Sequence, residues 1–310
     1  MSSKQLLKRF SLLVFLILTL ANCGGGGGGS DGGEDNTASN SDNEDSTSGG
    51  SDTGNNDSND SNSALAALFP KFTSVFGISL YATAATSSSD LAHAARVMAE
   101  YLDNDENGIP DNQLIVDKMV ERGATMLIAA SASEMEPLFD QIPESGAFQD
   151  LYASEIFPNG ASSGQFDATL EEVLHLITHV GFAGVYPSEF GEQSGSVIAD
   201  AMDIARGGHF ETIPSSYPAG AWYTYDDTTC EYDCMIAEYF YWALTSILGG
   251  QDFSGRLEEI QNEWQLNTAA KVQQQDTAIF ALLTNGQYGL PTTLPDGNYA
   301  AATFDISTSN

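Results

Sequence analysis

From Gly24 to Ser63 the chain is built almost entirely of Gly, Ser, Asn, Thr, Asp and Glu, beginning with six consecutive glycines. It carries nine acidic residues, no basic ones, and no apolar residue larger than Ala38. Nothing in such a stretch offsets the entropy of ordering, and its like charges repel, so it reads as a disordered acidic tether spanning residues 24–63. Forty residues of this composition reach roughly 35 Å as a coil. Folding and function are thereby confined to residues 64–310, which are enough for one large domain with a real core. That part holds 34 acidic and seven basic residues, so its acidity is intrinsic. A surface of this sign excludes nucleic acid as a default partner and disfavours electrostatic docking on anionic lipid.

Ahead of the tether, Lys4, Lys8 and Arg9 precede an eleven-residue apolar run from Phe10 to Leu20. The run is short for a membrane span and has the length of a secretory signal. Leu20-Ala21-Asn22-Cys23 resembles the lipobox of bacterial lipoproteins, which implies a signal peptide over residues 1–23 and lipid on Cys23. Gly24 then implies sorting to the outer membrane, with the lipid anchor as the only membrane partner. A cleaved export signal without lipid is the alternative.

Two cysteines remain, Cys230 and Cys234, and outside the cytoplasm the simplest reading of such a pair is a disulfide, with free thiols or metal ligation as alternatives.

Periodicity predicts an α+β domain. Strands are expected at Val75–Thr83, Thr125–Ala130 and Leu151–Phe157, and helices at Asp90–Leu102, Leu114–Arg122 and Ser133–Phe139. Past residue 166 only helices are expected: Leu170–Val180, Ser196–Ala205, Met235–Leu248, Phe253–Gln265 and Thr268–Leu283. With no second linker and no internal repeat, residues 64–310 read as a single domain of two lobes, a mixed sheet lobe followed by a mainly helical one.

The helix at 170–180 carries the sharpest signal. Thr169 and Glu172 have capping-box spacing, and Gly181 reads as a stop. At about 100° per residue, Glu171, Glu172, His175, Thr178 and His179 share one arc and the apolar residues take the other. Two histidines four apart with carboxylates one turn earlier have metal-ligand spacing. The segment Glu171-Glu172-Val-Leu-His175-Leu-Ile-Thr-His179 resembles, with departures, the H-E-x-x-H helix of zincin metallopeptidases. Two registers are open. In one, His175 and His179 are the paired ligands and Leu176 stands where the glutamate belongs, so the base falls to Glu172. In the other, Glu171 replaces the first histidine, Glu172 keeps the base position and His175 is the second ligand. Met235-Ile-Ala-Glu238-Tyr-Phe-Tyr-Trp resembles the later zincin helix that supplies a glutamate as third ligand. The resemblance implies a zincin-like fold, zinc, and hydrolysis of a peptide or protein substrate. A phenol from Tyr223 or Tyr225 would suit an oxyanion. Asp200, Asp203 and His209 are candidates for a supporting shell, while His93 reads as lying on an exposed helix face.

Asp103-Asn-Asp105-Glu-Asn107-Gly108-Ile109-Pro-Asp111 places oxygen ligands at positions 1, 3, 5 and 9 of a loop, with Gly at 6 and the Ile109 carbonyl at 7. It resembles the calcium repeats of thrombospondin type 3, and calcium there would be structural. The rival to the hydrolase is therefore a calcium-stabilised surface lipoprotein whose polar helix faces are structural or hold an inert metal.

Overall fold

The computed structural model describes residues 63–309; the signal sequence, Cys23 and nearly all of the tether lie outside the described residues. Strands β1 (Lys71–Val75) and β2 (Ile78–Ala82) form an antiparallel hairpin with Val75 opposite Ile78. The two turn residues, Phe76 and Gly77, both have positive φ (49° and 89°), the geometry that matches strand twist in a two-residue hairpin. The sequence pattern predicted one strand over Val75–Thr83. The turn falls inside that span because an aromatic occupies a position usually held by Asn or Asp.

Helix α1 (Ser88–Leu102) is capped by the Ser87 hydroxyl, which accepts from the Asp90 amide, and α2 (Gln113–Glu121) by Asn112. The chain returns in β3 (Ala124–Ala129), parallel to β2, and continues to β4 (Ala147–Tyr152), parallel to β3. Every β3 residue is buried. Met126 and Ile128 pack on the helical side, while Leu127 and Ala129 pack on the other face against Phe69, Met135 and Phe148. That is why this strand reads as a continuous apolar run rather than an alternating one. At the far end of the chain β5 (Ser307–Thr308) pairs with β1, giving the order β4-β3-β2-β1-β5. The result is an α+β fold on a mixed five-stranded sheet.

Helix α3 (Thr169–Leu176) packs against β4 and α1. The capping box is not made. Thr169 lies inside the helix, and the Thr169 amide donates instead to Asp167 Oδ1 at 3.1 Å. After Leu176 the helix continues as a π-helical segment, Ile177–Phe182, so Gly181 does not stop it. The Gly181 position faces Ile115 and Met119 of α2, closer than a Cβ would tolerate, so glycine serves helix packing here.

Beyond it lie α4 (Val197–Arg206), α5 (Tyr232–Ile247), α6 (Ala269–Gln275) and α7 (Thr277–Leu283). Helix α5 is buried from Cys234 through Ser246, and each of its large apolar side chains contributes about 1.5–3 kcal/mol by leaving water. The run predicted as one helix over 268–283 divides at Asp276, whose carboxylate accepts from the Ile279 amide and caps α7. The helix predicted over 253–265 shortens to Arg256–Ile260. Among the described residues, no helix is long and apolar enough to cross a membrane.

His93 is buried, contrary to the exposed position its helix face suggested, and its Nε2 lies 2.7 Å from Asp167 Oδ2. The polar face of α1 is covered by a distant segment. Asp296 and Gly297 amides donate to Glu100 Oε2, and Tyr299 donates to Asp103.

Candidate metal centre

Helix α3 places Glu171 and His175 one turn apart on the same face, and α5 packs across it to deliver Glu238. His175 Nε2 lies 3.3 Å from Glu238 Oε1 and 3.8 Å from Glu171 Oε1. One ligand atom from each residue falls within 4.8 Å of the other two. The side chains of His175 and Glu238 are 2% and 1% exposed, whereas Glu171 is 19% exposed and marks the open side of the cluster.

Two features of this trio suit a divalent cation. Neither Glu238 carboxylate oxygen makes a hydrogen bond among the described residues, although both are buried, and an uncompensated carboxylate in that setting costs several kcal/mol. The donor set of two carboxylates and one imidazole also fits zinc and similar ions in both charge and ligand type. Electrostatics lead the same way. Burial alone would lower the His175 pKa, but Glu238 and Glu171 outweigh it and lift the imidazole well above its ordinary value. The field therefore holds a positive charge at the point where the three side chains meet.

Glu172 lies on the β4 side of α3, buried, with Oε2 accepting from Gln149 Nε2 at 2.6 Å. Burial raises its carboxyl well above the usual range, His175 opposes this, and Glu171, Asp150 and Glu238 add to it. His179 is not brought to the trio. It stands on the π-helical segment, its side chain 30% exposed, and its Nδ1 pairs with Glu192. The regular α-helical register that put His179 on the same arc as His175 ends at Leu176.

The remaining sequence candidates are dispersed. Tyr223 donates its hydroxyl to the Met235 carbonyl at 2.8 Å and so fastens the start of α5. Tyr225 is 2% exposed, and its hydroxyl has no hydrogen-bond partner among the described residues. Asp203 receives His209 Nδ1 at 2.8 Å and the Tyr232 hydroxyl at 3.0 Å, a surface group separate from the trio. Cys230 and Cys234 form a disulfide that ties the preceding loop to the first turn of α5.

Residues that the sequence did not single out complete the surroundings. Glu155 follows β4; burial, then Glu171 and Asp150, push its carboxyl up to about 7. Glu263 is pushed up to about 8 by burial, Glu238, Asp226 and Glu171. Both lie in irregular segments with no periodicity to assign them a face. Their one signal was the unusual acidity of the domain.

In the second loop, one oxygen each from Asp103, Asp105 and Asp111 falls within 4.8 Å of the others. The loop is shaped by its own side chains. Asp103 accepts from the Asn107 and Gly108 amides, Asn107 Oδ1 from the Ile109 amide, and Asp111 from the Asn104 amide at 2.8 Å. Gly108 has φ +86°, as the tight turn at position 6 requires.

No known protein family, curated protein or solved structure matches this chain.

Proposed function

We propose that the chain is an exported, membrane-tethered, metal-dependent hydrolase of zincin-like architecture acting on peptides, with zinc held by Glu171, His175 and Glu238. The observation that carries this reading is the convergence of the three side chains from helices 63 residues apart in sequence, with the buried Glu238 carboxylate left without a hydrogen bond. It corresponds to the register in which Glu171 takes the place of the first histidine.

Zinc in such a site polarises a carbonyl and lowers the pKa of bound water. The chain's own residues supply the rest. Glu172, adjacent in sequence to Glu171 and raised in pKa by burial, takes and returns a proton near neutral pH. Gln149 fixes the orientation of Glu172 through Oε2. Glu171, as the exposed ligand, admits substrate from its side, and the apolar packing around Glu238 keeps the opposite side dry. Calcium in the Asp103–Asp111 loop is structural. It braces the end of α1 against the segment carrying Tyr299 and Ala300, whose amide donates to Glu106. Lipid on Cys23 and the acidic tether hold the domain off the outer membrane.

The test is cleavage of an unfolded protein substrate by the purified chain with and without chelator. Activity that chelator abolishes and zinc restores supports the reading. Zinc bound at one per chain with no cleavage of any unfolded substrate favours the calcium-stabilised, non-enzymatic alternative.

A further inference from the structure

Next to the trio lies a second set of polar atoms on two fastened segments. Tyr223 pairs with Trp264, the Thr224 amide donates to the Glu263 carbonyl at 2.7 Å, and the Thr224 hydroxyl donates to the Asn262 carbonyl at 2.6 Å. Tyr225 and Asp227 are thereby held alongside Glu263. The Cys230–Cys234 disulfide ties the end of this stretch to α5, one turn before Glu238.

Two groups here are buried without a hydrogen-bond partner among the described residues: the Tyr225 hydroxyl, on a residue 2% exposed, and Asp227 Oδ2. Asp227 Oδ1 is already used, accepting from the Thr229 amide and hydroxyl at 2.8 Å each. Glu238, Glu263 and Asp227 all act on the Tyr225 phenol, so the unbonded hydroxyl stands among carboxylates. Arg256 is the single cation that bears on Glu263, and its guanidinium is engaged by Gln251 at 2.7 Å and Glu259 at 3.0 Å.

We propose that Tyr225, Asp227 and Glu263 form a subsite for a primary ammonium group of the substrate, on the Glu238 side of the centre. An ammonium offers three donors and no acceptor, and it meets here a phenol oxygen and two carboxylates. One divalent ion in the trio neutralises Glu171 and Glu238 and leaves Glu263 and Asp227 uncompensated. An anionic substrate group would be repelled. A second divalent ion lacks its ligands, because among the described residues only the trio and the Asp103–Asp105–Asp111 loop bring three such atoms together. The ammonium is supplied by the amino terminus of a peptide or by a lysine side chain. This subsite deepens the hydrolase reading and rests on it.

The experiment uses the zinc-loaded full chain and peptides that differ in one charge, amino terminus free or acetylated in one arm and lysine or norleucine in the other. Cleavage is followed by mass spectrometry, and binding of the same peptides by calorimetry. In one of the two arms the ammonium form is favoured by at least about tenfold in kcat/KM, as loss of a charged hydrogen bond implies. The Glu263→Gln and Tyr225→Phe variants bring that ratio to near one while zinc content stays at one per chain. Equal cleavage and equal binding of charged and neutral peptides in both arms overturns the subsite, as does a preference that survives both variants in zinc-replete protein. Binding that depends on the ammonium with no cleavage refutes the hydrolase and leaves the subsite standing.

Discussion

The His93–Asp167 pair gives the fold its most quantitative test, because it fixes the entry to the helix that carries the metal centre. Asp167 is held from two sides, with Oδ2 at 2.7 Å from His93 Nε2 and Oδ1 accepting from the Thr169 and Phe157 amides. A His93→Leu substitution keeps the volume roughly constant and strips Oδ2 of its partner in a buried setting. The cost of that loss is about 1.5–3 kcal/mol for a hydrogen bond involving a charged group. For a domain of this size it lowers Tm by about 3–12 °C. The pH dependence follows from Asp167. Burial pushes its pKa up, but His93 and Thr169 outweigh burial and leave it below the ordinary value. A carboxyl depressed in the folded state stabilises fully above its unfolded pKa of about 3.9 and loses that contribution as pH falls through the folded value. The free-energy gap between wild type and His93→Leu is therefore largest near pH 7 and shrinks toward pH 3. Urea unfolding across that range measures it. A gap below about 0.5 kcal/mol at pH 7, or one that does not change with pH, refutes the reasoning.

Other consequences are accessible to simple assays. A Glu172→Gln variant keeps its zinc and loses about 10²–10⁴ in turnover, as expected when a proton acceptor is removed; unchanged turnover removes Glu172 from the chemistry. Added calcium at about ten times its dissociation constant raises stability by about 1.4 kcal/mol and Tm by about 3–6 °C. Asp105→Ala cancels that shift, and a midpoint indifferent to calcium disposes of the loop as a cation site. Replacing both Cys230 and Cys234 by Ser opens a five-residue loop and costs about 2 kcal/mol in urea unfolding; an unchanged midpoint shows that the loop is held by its other contacts.

Much of the helical framework was legible in the residue pattern, because helices with one apolar face announce their period. Helices α1, α2, α4 and α5 fall close to where periodicity put them. The sheet was less legible. The last strand, β5, is two residues long and exists only through its pairing with β1, and the β1–β2 turn hides in an aromatic-glycine pair. The trio was reachable only in part. Glu171, His175 and Glu238 stood out as acidic or basic residues on apolar helices, yet the choice between Glu171 and His179 turned on whether the helix kept its register past Leu176, a tertiary matter. His93 was misplaced for a related reason. A polar helix face was equated with solvent, whereas here Gly297 and its neighbours cover it from about two hundred residues away. Glu155 and Glu263 were invisible, since irregular segments carry no period from which to infer what they face.

The central claim is that helices α3 and α5 share one ion, and metal content measures it most directly. After dialysis against trace zinc, the wild-type chain is predicted to retain about one zinc per molecule, while a folded Glu238→Ala variant retains almost none, since one of three ligands is gone. No zinc in the wild type, or equal zinc in both proteins, would contradict the account.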